Sequence, residues 1–412
     1  MKRISIIGGG ISGLSVLHYL KQQLGEAADI TLFEREDTAG GTIRSFKKDG
    51  CLFEWGPNGF LDNQPATLQL IDELGLTGQL IAASPTASQR YVQIDGRLYP
   101  VPMTPAGLIR SDLLSWRDKR ALIKGLFKRN VSTDCSIYEY VSRRFSPAIA
   151  ENLVDPFISG VYAGDIERLH CCAFPKLKGK GFKKSRLHSF KEGMGQIIQA
   201  MEERYKNHIK TNSIVTSIRP EAGITILAVP AYAAAKITAA LNPTLSETLA
   251  QIVYAPVAVA GLLFKQDSFK RKPDGFGYLI PSREHKEILG VLIESNVYDG
   301  RADKTQVMLR ILLGGMHNPG IISDTLERIL AKAVKEIDTT YGLISNPIEG
   351  FVKFWPQAIP QYEMNYPSLK YAIAQETAQI PGLYLCANYL DGVSFNDCIK
   401  NARSLALAIQ AK

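Results

Sequence analysis

The chain has 412 residues and a formal net charge of +8, with 45% hydrophobic and 21% charged residues. That is an ordinary soluble composition with enough apolar residues to bury a large core, and the length predicts two or three domains of about 100–200 residues. The charge is too mild for its size to favour nucleic acid as a partner. No run reaches the roughly 18 apolar residues needed to span a bilayer.

The chain opens RISIIGGGISGLSVLHYL, Arg3 to Leu20. Basic residues before an apolar run fit an export signal or a strand, turn and helix. An export signal needs a small-residue cleavage site after its apolar region. Here Gly8-Gly9-Gly10 interrupts the run, and a helix-like segment with His18 and Lys21 follows. The strand reading explains more. Gly8, Gly10 and Gly13 form G-x-G-x-x-G, Ser12 to Leu24 has helical periodicity, and DITLFE predicts a second strand from Asp29 to Glu34. Gly8 permits the tight turn, Gly10 lets the backbone approach a pyrophosphate, and Gly13 lets helix and strand pack closely. Gly9, Ile11 and Ser12 complete the phosphate turn at the helix N-terminus. Glu34, beside Arg35, stands where an acid takes ribose hydroxyls.

Two further glycine loops follow. REDTAGGTIRSF carries Gly40, Gly41, Thr42 and Arg44, and FEWGPNGF carries Gly56, Pro57, Asn58 and Gly59 in a tight turn. A simple nicotinamide dehydrogenase does not need them. A flavin dinucleotide, FAD, does.

RYVQIDGRLYPVP predicts a hairpin turning at Asp95-Gly96. From Val101 to His188 the spacing is helical, as in IYEYVSRRF and PAIAENLVDPFISGVY. Within it, Lys176 to His188 has six Lys or Arg and no acid. That run reads as a solvated loop, a membrane-surface patch or an attractor of acidic substrates. SFKEGMGQIIQAMEERY predicts a helix. Ser213 to Ile218, ITILAVP, YAPVAVAGLLF, GFGYLI, EILGVLIES and TQVMLRILLG predict strands, and a helix is expected from Ile321. GLYLCANYLDGVSFNDCIKNARSLALAI closes the chain as strand, loop and helix. A helix starting near Ser394 to Asn396 aims its N-terminus, with Val393, Ser394 and Phe395, at an anion such as a reduced flavin ring.

The six cysteines include no CxxC pair, and the six histidines show no ligand spacing. No metal is expected, and free thiols fit a reducing cytoplasm.

The motifs GGGISGL, GGTIR, EWGPNGF, LVDPFISGVYAGD, SFKEGMGQI, AVPAYAAA, FWPQAIPQY and DGVSFNDCIKNA together resemble the protoporphyrinogen and coproporphyrinogen oxidases of haem synthesis. These are amine-oxidase-like flavoproteins. The resemblance implies an α/β fold with a discontinuous Rossmann-like FAD-binding domain, an antiparallel-sheet substrate domain and an inserted helical domain. Residues 1–84, 189–230 and 379–412 would bind FAD. Residues 85–103 and 231–378 would bind substrate, and 104–188 would form the helical domain. That domain would contact a membrane or cap the site.

By the same resemblance Asn58 faces the substrate, although it is also a natural turn residue. Arg90 pairs with a propionate, a task suited to a guanidinium, or is a surface strand charge. Val215 contacts the adenine side through its backbone. Trp355 packs near the flavin or in the core. The chemistry implied is a six-electron oxidation of a porphyrinogen, protoporphyrinogen IX or alternatively coproporphyrinogen III, with oxygen as acceptor. The flavin carries that chemistry, so no catalytic side chain is expected. Hand-over to ferrochelatase and a cytoplasmic location, peripheral on the inner face of the cell membrane, accompany it. The chain departs from the pattern in four places. Val215 to Val229 is short, the segment around Lys176 to Lys184 is compact, Ala387 stands where relatives usually carry glycine, and Ser394-Phe395 is not the usual pair. A flavin amine oxidase, a carotenoid-type desaturase and a flavin-binding protein without turnover are the rival readings. Cys398 stands where amine oxidases usually place a tyrosine.

Overall fold

A computed structural model describes residues 2–102, 104–128, 132–173, 185–219 and 223–410. Strand Lys2–Ile7 pairs in parallel with Ala28–Phe33 on one side and Ile224–Leu227 on the other. Ile209–Lys210 and Leu383–Leu385 complete this five-stranded parallel sheet at its edges. Parallel sheets are covered on both faces, which is why Ile224–Leu227 is buried at every position. Helices Ile11–Leu24, Gly195–Tyr205 and Phe395–Gln410 pack one face through Leu14, Leu17, Ile197 and Ile399. Helices Ala231–Thr238, Pro243–Ala250 and Tyr366–Ala378 contribute to the cluster on the other.

The strand expected at Ser213 to Ile218 does not form, and Ile209–Lys210 takes the sheet edge instead. Asn212 has φ 50°, which breaks the extended run. The N–H groups of Asn212 and Ser213 then donate to the carbonyls of Glu36 and Glu34, both 2.8 Å, and not to a neighbouring strand.

A second sheet has seven strands. In spatial order they are Glu349–Pro360, Tyr254–Lys265, Gln306–Gly314, Ile288–Ile293, Gly277–Leu279, Arg90–Ile94 and Arg97–Pro100. All neighbours are antiparallel except Gly277–Leu279 with Arg90–Ile94. The hairpin turns at Asp95 (φ 50°) and Gly96 (φ 72°), the left-handed pair that a two-residue turn requires.

Side chains alternate between the faces of this sheet. Ala260, Leu262, Leu309, Ile311, Tyr278 and Val291 pack with Ile329, Ala333 and Ile337 of helix Leu326–Tyr341. Val257, Val259, Leu263 and Met308 point the opposite way, to Phe53. The helix expected from Ile321 starts later. A 3-10 turn occupies Pro319–Ser323, and the Thr325 hydroxyl accepts from the Arg328 N–H at 3.3 Å to open the helix.

Between the hairpin and residue 173 the chain is mainly helical, with Trp116–Phe127, Ile137–Arg144 and Asp155–Tyr162. Pro156 has no N–H to donate one turn back, and a wider π-type turn occupies Ala150–Val154 just before it. The FISGVYAGD segment fastens this helical part to the second sheet. A Cβ on Gly160 would fall 2.7 Å from the Leu279 side chain, and the Ala163 carbonyl accepts from the Met316 N–H at 2.8 Å. Of the basic run Lys176 to His188, residues 176–184 lie outside the described residues.

Candidate flavin and substrate site

Three glycine loops meet at the C-terminal edge of the parallel sheet. In the first, Gly8 has φ 106°, and a Cβ there would fall 2.6 Å from the Ala228 carbonyl oxygen. A Cβ on Gly13 would collide with the Gly8 carbonyl oxygen. Those two glycines serve the packing of helix against strand. Gly10 is different, because a Cβ there would meet nothing within 4 Å. The space lies at the start of helix Ile11–Leu24, whose first N–H groups have no partner within the helix. Ile11 and Ser12 are buried in that first turn.

Glu34 stands one residue past its strand and is buried. Its Oε2 accepts from the Gly9 N–H at 2.7 Å and its Oε1 from the Glu36 N–H at 3.0 Å. Each oxygen keeps a second lone pair, enough to receive ribose hydroxyls. Arg35 is exposed, with its Nε 2.9 Å from Glu36. Val215 is half-buried in the extended run that the Glu34 loop holds.

The second loop lies on the first. The Gly40 N–H donates to the Gly9 carbonyl at 2.8 Å, and a Cβ on Gly41 would be 3.5 Å from Gly10 Cα. Thr42 is exposed, and Arg44 Nε donates to the Gly41 carbonyl at 3.2 Å. The third loop lies on the second, with the Thr42 carbonyl oxygen where a Cβ of Gly56 would be. Pro57 and Asn58 are half-buried. The Nδ2 of Asn58 is buried and has no hydrogen-bond partner among the described residues. Gly59 is pinned by the Tyr298 hydroxyl and the His188 carbonyl.

Trp355 reaches this turn from the second sheet, its indole N–H donating to the Trp55 carbonyl at 3.0 Å. At the chain's other end, the Ser394 hydroxyl oxygen accepts from the Asp397 N–H at 3.1 Å, in the first turn of helix Phe395–Gln410. Val393 is half-buried, while the Phe395 ring turns into the core, 5.2 Å from Phe60. The Phe395 ring is thus turned away from the glycine loops into the core. Cys398 is buried beside Ser12, and burial pushes its thiol up to about 11. It packs in the core of the parallel-sheet half, with no part in an aromatic cage.

Arg90 occupies the same transverse row as Gly277, Leu292, Arg310, Gly261 and Phe351. Residues paired across strands share a face. Arg90 and Arg310 therefore point to the face that carries Val257 and Val259, opposite helix Leu326–Tyr341. Arg90 is exposed, its guanidinium 4.9 Å from the Phe276 ring centre.

Two groups in this region were missed by sequence reasoning. Tyr362 and Tyr366 stack with ring centres 4.1 Å apart and brace the closing loop. The Tyr362 hydroxyl donates to the Asn388 carbonyl at 2.6 Å and accepts from the Gly392 N–H at 3.0 Å. Tyr366 donates to the Leu390 carbonyl. Beneath the Gly56 turn lies a buried charge cluster of Glu54, Glu294, Arg301 and Arg310. Burial pushes the Glu54 carboxyl up to about 7, against the opposing pull of Arg301, the Met194 N–H and the Ser45 hydroxyl. The available signal was a charge inside an apolar strand, as in CLFE and VMLRILLG.

This fold and loop set define a flavin-dependent oxidoreductase. A profile of the flavin containing amine oxidoreductase family matches residues 11–410, and the chain belongs to that family. Protoporphyrinogen oxidase 1, chloroplastic, of Spinacia oleracea is 28% identical over 98% of this chain and 83% of its own length. Coproporphyrinogen III oxidase of Bacillus subtilis (strain 168) is 26% identical over 98% of this chain and 97% of its own. A crystal structure from Exiguobacterium sp. 255-15, provisionally described as a protoporphyrinogen oxidase, shares the fold. Its TM-score is 0.86, at 21% identity over 100% of this chain and 99% of that one. The cofactor is FAD, and the residues present fit it. The open space at Gly10, the free lone pairs of Glu34 and the orphaned amide of Asn58 lie along one line of loops. Among the described residues no helix is long and apolar enough to cross a membrane.

Proposed function

We propose that the chain oxidises protoporphyrinogen IX to protoporphyrin IX, consuming three molecules of oxygen and releasing three of peroxide. Bound FAD supplies the hydride acceptor for each of the three two-electron steps. The chain's residues bind, orient and shield the substrate. The observation that carries this reading is the place of Arg90. The residue is exposed while its guanidinium is partly desolvated against Phe276, it has no carboxylate partner among the described residues, and it shares a sheet face with the residue that touches the Gly56 turn. A propionate takes such a guanidinium in a two-pronged pair. Asn58, in the Gly56 turn, keeps a buried N–H donor with no partner among the described residues. The site residues Gly8 to Gly13, Glu34, Arg35, Gly41, Thr42, Arg44, Gly56 to Gly59, Val215, Trp355 and Val393 to Phe395 are assigned to FAD within this proposal. So is the division into cofactor, substrate and helical parts.

A second substrate, coproporphyrinogen III, is supported by the Bacillus subtilis relative, whose length this chain nearly fills. Peripheral membrane contact is supported by helix Trp116–Phe127. Trp116, Ile123 and Phe127 lie on one of its faces at 68%, 53% and 79% exposure, beside Arg120 and Lys124. Buried Gly125 holds the opposite face against Phe145. A cytoplasmic location and hand-over of the product to ferrochelatase complete the proposal.

Mixing each porphyrinogen anaerobically with the FAD-loaded protein tests it. Bleaching of the flavin band and porphyrin fluorescence are expected. No bleaching with either substrate removes the oxidase reading, and the ratio of the two rates names the substrate.

A further inference from the structure

We propose that Arg310 is a positioning residue. It sets the Gly56–Asn58 turn at the height the flavin ring requires, and Glu294 holds it from behind. The proposal rests on the reading that this turn faces the flavin.

Arg310 lies in the interior of strand Gln306–Gly314, and its flanking residues Leu309 and Ile311 pack toward the covering helix. Its guanidinium crosses the other face and donates an Nη2 hydrogen to the Gly56 carbonyl oxygen. Nη1 lies 3.8 Å from Glu294 Oε1. Both residues are buried, and neither Glu294 oxygen has a hydrogen-bond partner among the described residues, so Arg310 faces it as a neighbouring countercharge without a hydrogen bond. The preceding carbonyl, that of Trp55, is gripped in the same way by the Trp355 indole N–H. Two consecutive carbonyls of one turn are thus tied to two strands of the second sheet. Pro57 restricts the next φ, and Gly59 abuts Tyr298 and His188. The turn is held at three points, and the Asn58 side-chain amide within it keeps a buried N–H donor with no partner among the described residues.

An ion pair needed only to balance charge is replaceable by apolar residues of similar volume. The bond to Gly56 is not, because no apolar side chain donates a hydrogen to a carbonyl. The cluster's second half, Arg301 with Glu54 at 3.6 Å, sits below the strand that leads into the turn. Its Arg301 Nη2 is spent on the Ser189 hydroxyl at 2.7 Å. Arg310 alone of the two arginines reaches the turn's backbone.

The test compares the wild type, Arg310→Lys and the charge-neutral double variant Arg310→Leu/Glu294→Leu, all loaded with FAD. The expected result is a displaced visible flavin band and FAD dissociation at least fivefold faster in the double variant, and a smaller change in Arg310→Lys, whose ammonium still donates but lacks the planar fork. Turnover at saturating porphyrinogen is expected to fall at least tenfold, with KM changed less than threefold. A wild-type band and wild-type dissociation rate in the double variant overturn the proposal. If the double variant does not fold, the same two readings on the better volume-matched neutral pair Arg310→Met/Glu294→Gln decide. The spectrum and dissociation rate need no substrate, so failure of every porphyrinogen to react removes the oxidase reading and leaves this test standing.

Discussion

Arg90 and Arg310 lie in one transverse row of the seven-stranded sheet, three strands apart and on the same face. At about 4.8 Å per strand their backbones are roughly 14 Å apart. One guanidinium is spent on the Gly56 carbonyl and lies beside a buried carboxylate, while the other packs on the Phe276 ring with no carboxylate partner among the described residues. The row therefore runs from a fixed, neutralised end near the glycine loops to an open cationic end.

Arg90→Ala is expected to raise KM for a porphyrinogen ten- to a hundredfold. That is the loss of a charge-assisted bond of about 1.5–3 kcal/mol. FAD content and kcat should stay within twofold. Arg90→Lys should recover part of the loss, because an ammonium keeps the charge without the planar fork. Steady-state kinetics check this, and an unchanged KM for Arg90→Ala takes the residue out of the site.

Gly10→Ala and Gly13→Ala should separate cofactor binding from folding. A methyl at Gly13 meets the Gly8 carbonyl, so helix Ile11–Leu24 must shift and the Tm of the FAD-free protein should fall by several degrees. A methyl at Gly10 meets no protein atom, so that Tm should hold while FAD affinity drops at least tenfold. Thermal melts and flavin-fluorescence titration measure the two effects. Equal behaviour of the two variants would contradict the assignment of the Gly10 space to FAD.

Glu54 gives a pH dependence whose sign follows from its burial. Its carboxyl titrates near 7 in the fold against an ordinary 4.5, so the folded chain holds a proton that the unfolded chain releases. This contribution to stability is complete below the ordinary value and is lost as pH rises through about 7. Tm is expected to fall by a few degrees between about pH 5 and pH 8 on this account. Glu54→Gln should flatten that slope. Melts across the pH range check it, and an unaltered slope would show that another group is responsible.

If helix Trp116–Phe127 touches a membrane, Ile123→Ser/Phe127→Ser should cut co-sedimentation with anionic lipid vesicles at least threefold. Both side chains are more than half exposed, so Tm should not change. Binding by the double variant equal to that of the wild type would place the contact elsewhere.

The parts of the fold legible in the sequence are those whose geometry is set within a few residues. Gly8 and Gly13 are demanded by backbone contacts inside one strand-turn-helix unit, and Asp95-Gly96 by a two-residue turn. Glu34 is legible because a strand of six residues ends just before it. Ser213 to Ile218 misleads because its β-branched residues carry the same local signal as a strand. Asn212 turns the chain out of the extended run, and the Ser213 N–H donates to the Glu34 carbonyl, some 180 residues earlier in the chain, in place of a neighbouring strand. Phe395 does stand at the helix start, but its ring packs on Phe60 in the core.

Arg310 shows the limit most clearly. In VMLRILLG it reads as an isolated charge in an apolar strand, with nothing nearby to name its partner. Its partners are Gly56, about 250 residues away, and Glu294, on a short helix beyond the next strand. The residues alone indicated the first strand-turn-helix unit, most of the helices and strands and the two later glycine turns, because steric limits on φ and local periodicity act along the chain. Tertiary structure decided which buried charges neutralise one another, which face Arg90 shares with Arg310, and what grips the turn at Gly56. Those relations come from strand register summed over segments hundreds of residues apart, and a register shift of one residue would send every one of these side chains to the opposite face.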